Sequence, residues 1–175
     1  MIDWTSVFDE TQVAKGATGA EGAAFAKDFA LPLSENEIAE IKADLLKAKI
    51  DVQLYDPAKW VLPNKPLPET FLNFLTWNNG GWCRKGEREF GFLGIPDLRS
   101  YTLAYMFPAF MPEAVPFALN GGGVFYVFDM REEPDGGEYP ILISASGNLG
   151  YEDAKVVAQS FIEVCSGTTN IEDYL

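Results

Sequence analysis

One turn constrains the fold of this chain more than any other feature. Asn120-Gly121-Gly122-Gly123 stands between two apolar runs, Val115–Leu119 and Val124–Met130. Asn-Gly supplies the positive φ angles that a tight hairpin turn needs. The second run is β-branched and aromatic, so the pair reads as antiparallel strands. Asp135-Gly136-Gly137 is a second turn and leads into a third strand at Tyr139–Ser144. Upstream, Glu89-Phe90-Gly91-Phe92-Leu93 reads as a further strand.

Helices are expected on either side. Ser34 and Glu37 form a capping box, in which each side chain satisfies a free backbone N–H. Ile38, Ile41, Leu45 and Ala48 then recur at helical spacing and predict a helix from Ser34 to Lys49. Pro68 suits a first helical turn, and Phe71, Leu72, Phe74 and Leu75 give one apolar face, so a second helix is placed at Pro68–Asn78. Gly80 is its expected left-handed C-cap. Pro96 to Phe110 reads as either helical or irregular. Near the end, the apolar positions allow one long helix from about Tyr151, but Ser160-Phe161-Ile162-Glu163 is another capping box and favours a short helix from Ser160 that Gly167 ends, with Lys155–Ala158 extended. Helices, then consecutive strands, then a terminal helix predict an α+β fold, an antiparallel meander sheet packed against helices.

Two parts are expected. Residues 34–175 read as a single domain. Residues 1–33 form an N-terminal arm, Ala- and Gly-rich from Ala14 to Ala26. It reads as a flexible arm or as a loop that docks Trp4, Phe8, Phe25 and Phe29 onto the body; the four aromatics favour docking. With 175 residues the chain fits one ordinary domain and can bury a core without disulfides.

Composition narrows function by exclusion. The chain has 13 Lys plus Arg, 26 Asp plus Glu and no His, for a net charge of −13. Such a field repels nucleic acid and anionic lipid and attracts basic partners. Without His there is no Ser-His-Asp triad, Cys-His dyad or His-dependent metal site. The start, Met-Ile-Asp-Trp-Thr, has no basic and apolar signal pattern, and no apolar run approaches the roughly 20 residues a bilayer span needs. A cytoplasmic location is the expectation. Cys83 and Cys165 are far apart in sequence and read as reduced, half-buried thiols.

The remaining motifs weigh toward structure. Asn120-Gly-Gly-Gly precedes a strand and no Lys-Ser/Thr follows, so it is a hairpin turn and not a phosphate loop. Gly147-x-x-Gly150 is half a dinucleotide fingerprint. Asp129 reads as a strand-end residue paired with Arg131 or as a site residue, the structural reading being favoured. Cys83, beside Arg84 and Lys85, lacks a His or second thiol for catalysis. No calcium loop and no cofactor motif is present, and no metal site is expected. Glu132, Glu133, Asp135 and Glu138 surround the second turn. They read as a solvated acidic loop or as a recognition patch for a cationic protein; paired-acid hydrolysis would need an apolar pocket to separate their pKa values.

Four segments in order carry a resemblance. Leu67-Pro68-Glu69 leading to Phe74-Leu75 and Asn78-Asn79-Gly80-Gly81 resembles the leucine-proline helix of the SUKH superfamily, the Smi/Knr-like proteins. Phe92-Leu93-Gly94, the Val115–Arg131 hairpin and Val157–Glu163 are similar to its later strand, central hairpin and closing segment. The resemblance covers roughly residues 34–167; the first 30 residues fall outside it, and the stretch after Ile143 lacks the Trp and acidic residues often seen there. It implies an α+β domain without catalytic activity. Most bacterial relatives look like immunity proteins that bind and neutralise a cognate toxin, often a nuclease; a fungal branch resembles cell-wall-synthesis regulators that act as interaction hubs.

The combined expectation is an acidic immunity protein that occludes a basic toxin. The binding residues named from the sequence are Glu132, Glu133, Asp135 and Glu138 on one loop, with Glu87 and Trp82 as secondary candidates. A regulatory scaffold and a carboxylate-dependent hydrolase are the alternatives.

Overall fold

The computed structural model describes residues 2–175. Its centre is one seven-stranded antiparallel sheet whose spatial order is the chain order. The strands are β1 Glu10–Val13, β2 Gly81–Lys85, β3 Arg88–Phe92, β4 Ala114–Leu119, β5 Val124–Asp129, β6 Ile141–Ala145 and β7 Lys155–Ala158. Short turns join β2 to β3 and β4 to β5, and the Asn120–Gly123 turn closes β4 onto β5 as its sequence demands. There Asn120 Oδ1 accepts from the N–H groups of Gly122 (2.8 Å) and Val124 (2.9 Å), while Gly121 and Gly123 take positive φ.

The sheet is covered on both faces, which is why β4 and β5 are apolar nearly throughout and do not alternate. One face carries Cys83, Phe90, Phe92, Tyr126, Phe128, Ile141 and Ile143. Helix α4, Glu69–Trp77, and helix α7, Phe161–Ser166, pack there through Phe71, Phe74 and Phe161. The other face buries Phe125, Val127 and Leu142 under Phe107 and Met111. Helix α6, Phe107–Phe110, supplies most of that cover with Tyr101 of helix α5, Ile95–Ala104, beside it, while Leu98 and Leu103 of α5 join the first cluster. The ambiguous Pro96–Phe110 stretch is thus two short helices broken at Met106, which has φ 57°.

Residues 2–31 pack into the same core. Helix α1, Trp4–Val7, buries Trp4 edge-on against Phe74 at 5.1 Å, and Phe8 stacks on Trp77. β1 then pairs with β2 along its whole length. The Ala/Gly-rich stretch, read as an arm or loop, is instead a helix, α2, Gly19–Asp28. The missed signal is local: Thr18 and Glu21 form a full capping box. Helix α3, Glu35–Lys47, starts at the expected Ser34–Glu37 box.

Three local expectations need correction. Gly80 has φ 95° but does not cap α4; Asn78 ends that helix in extended conformation, and Gly80 makes the bend into β2. Glu163 accepts from the N–H of Gln159 at 2.6 Å, so the box at α7 is only half formed by Ser160. Cys83 and Cys165 are fully buried, not half-buried. Burial raises both thiols, Cys83 to about 12, because a thiolate would lose its hydration there.

Candidate partner-binding surface

The loop that joins β5 to β6 is held from several directions. At its start, Arg131 folds back onto Asp129 with two bonds, Nε to Oδ1 at 2.8 Å and Nη2 to Oδ2 at 2.7 Å. Its guanidinium also lies 3.8 Å from the centre of the Tyr151 ring. Lys65 reaches in from a proline-flanked segment. Its Nζ donates to the carbonyls of Met130 (2.7 Å), Arg131 (3.1 Å) and Glu132 (3.3 Å), and it stands 3.8 Å from a Glu133 carboxylate oxygen. At the far end, Asp135 and Glu138 exchange both backbone bonds at 3.0 Å around Gly136 and Gly137, which both take positive φ.

Glu138 fixes this end to the body. One carboxylate oxygen accepts from the Thr70 hydroxyl and the other from the Phe161 N–H at 2.9 Å. A carboxylate at the start of α7 satisfies an otherwise free N–H and complements the helix dipole. Next to it the Tyr139 hydroxyl donates to the Pro66 carbonyl at 3.0 Å.

These anchors separate the sequence-named residues into three groups. Glu132, Glu133 and Asp135 are exposed on the loop, while Glu138 is half-buried and engaged as its anchor. Glu87 is exposed but lies in the β2–β3 turn, at the opposite end of the sheet. There it joins Glu89 and Glu172 around the Asn120–Gly122 turn, and Glu172 accepts from Asn120 Nδ2 at 2.8 Å. Trp82 is half-buried within β2, paired with Gln12 and Gly91 on the face away from Cys83. The acidic loop, Glu87 and Trp82 thus do not form one patch.

Sequence reasoning missed the neighbours that complete the loop's surroundings. Glu69 is exposed in the first turn of α4 and faces the loop across a cleft of about 400 Å³, lined by Pro66, Leu67, Thr70, Pro134, Gly136, Gly137 and Glu138. Nothing local ties Lys65 to carbonyls so distant in the chain, so no motif could have found it. Glu69 lies inside the Leu67-Pro68-Glu69 motif itself.

The chemistry on offer is the presentation of fixed carboxylates. Among the described residues, no three His, Cys, Asp or Glu side chains are placed to hold a metal ion. Likewise, no described helix is long and apolar enough to cross a membrane.

Fold and surface together define an α+β meander domain that displays an anchored acidic loop. A family model described as the SMI1 / KNR4 family (SUKH-1) matches residues 32–166, and the chain belongs to that family. Among curated proteins none matches the chain.

Proposed function

We propose that this protein is a non-catalytic immunity protein that neutralises a cognate toxin by occlusion, its acidic loop covering a basic active-site cleft such as that of a nuclease. One observation carries the reading. Glu132, Glu133 and Asp135 are exposed on a loop whose one cation, Arg131, is folded onto Asp129, while Lys65, which enters from outside the loop, is shared between three carbonyls and a Glu133 carboxylate oxygen at 3.8 Å. A rigid acidic projection loses little entropy on docking. On a chain of net charge −13 it also steers a basic partner.

Affinity capture from the source cell, eluted with a salt step, tests the partner. A single dominant basic protein released by salt is the expected result. Reversing charge with Glu132→Lys and Glu133→Lys should then slow association about tenfold or more at low salt, with a smaller effect at high salt. An unchanged association rate removes the loop from the interface. Several cellular partners would favour a regulatory scaffold, the reading that the family's other expected branch supports.

A further inference from the structure

The cleft between α4 and the acidic loop is shaped for more than general attraction. Its walls are largely apolar: Pro66 and Leu67 on one side, Pro134 on the other. Gly136 and Gly137 leave its rim open, with no atom within 4 Å of where a side chain would start. Glu69 stands at the lip, exposed, and forms no ion pair among the described residues. No Lys or Arg lines the cleft. Lys65, which precedes Pro66 in the chain, is turned into the loop backbone and toward Glu133.

Two ligand classes could enter such a space. Free N–H groups in the first turn of α4 would suit an anion. Glu69 in that turn, with Glu132, Glu133 and Asp135 on the loop beside it, sets the opposite sign. The walls further discriminate between a bare cation and a side chain. A long alkyl stem with a charged tip buries its methylenes on apolar surface and keeps its head at the polar edge.

We propose that this cleft receives one arginine or lysine side chain from a basic protein partner, its stem between Leu67 and Pro134 and its charged head at Glu69. The inference rests on the binding reading above and names the partner group and the place that takes it.

The test needs no toxin, so its failure and the failure of the immunity reading are distinguishable. Amide chemical shifts are followed while a blocked Gly-Arg-Gly peptide is added, against the same peptide carrying citrulline, the neutral isostere. The expected result is shifts concentrated at Leu67, Glu69, Thr70, Gly136, Gly137 and Glu138 with arginine and none with citrulline. Glu69→Gln should weaken binding by about threefold, the size of one exposed ion pair. Glu40→Gln, on a distant helix, should leave it unchanged. Shifts scattered over the acidic surface, an equal response to citrulline, no response in large excess, or full binding by Glu69→Gln would each overturn the proposal.

Discussion

At the scale of single residues, the charges that matter most to the fold are the ones that reach across elements. Glu37 is an example. Arg99 donates to both its carboxylate oxygens, at 2.7 and 3.1 Å, and to the carbonyls of Phe29 (2.6 Å) and Leu31 (3.1 Å). One guanidinium thereby ties α5 to the start of α3 and to the end of α2's connection. The Arg99 bonds hold the Glu37 carboxyl down, from 4.5 to about 2. A depressed carboxyl stabilises the fold above its unfolded value and loses that contribution as pH falls through the folded one. Glu37→Gln keeps a capping side chain but loses the ion pair. At pH 7 it should cost about 1 kcal/mol, since the pair is partly exposed. Thermal unfolding across pH should show the gap to the parent protein closing between about pH 4.5 and pH 2. A gap that persists at pH 2 would assign the loss to packing.

Elements are where the Asn78-Asn79-Gly80-Gly81 motif acquires its physical reason. Asn78 is fully buried and its Oδ1 accepts from the Ala14 N–H at 3.0 Å, joining the N-terminal segment to the end of α4. Asn79 Oδ1 accepts from the Ile95 N–H at 2.7 Å and so caps α5, whose own N-cap, Gly94, has no side chain to do it. A Cβ on Gly94 would collide with the Asn79 backbone, so cap and glycine require each other. Asn79→Ala should cost about 1–2 kcal/mol, read as a lower urea midpoint at unchanged slope. The same scale explains what the sequence disclosed. Ser34–Glu37 and the Asn120 turn were legible because their bonds close within a few residues. β1 and β2 were not: Glu-Thr-Gln-Val is exposed at every position, and its partner strand lies far along the chain. The acidic loop was visible in composition, yet the division between outward Glu132 and anchoring Glu138 depends on Thr70 and Phe161, contacts that no local pattern encodes.

For the molecule as a whole, the family match and the physical core have different extents. The match begins at residue 32, but Trp4 and Phe8 belong to the main cluster with Phe74, Phe90 and Phe92. Buried Arg88 donates to the Val164 and Thr169 carbonyls, both at 3.1 Å, holding the end of α7 against β3. Trp4→Ala should therefore behave as a core deletion, costing about 3–5 kcal/mol and lowering the melting temperature by roughly 10 °C in calorimetry. A loss below about 1 kcal/mol would make the segment an appendage.

A sheet whose spatial order repeats its chain order also has a schedule. From β2 onward, each strand can be laid against the one made just before it, so no closure approaches the span that β1 requires and the entropic cost of each is modest. β1 is the exception. It is made before the sheet's other strands, yet its pairing edge on β2 is not made until residues 14–80 have followed. This edge strand has to wait, its aromatic neighbours unburied, for the rest of the sheet to arrive.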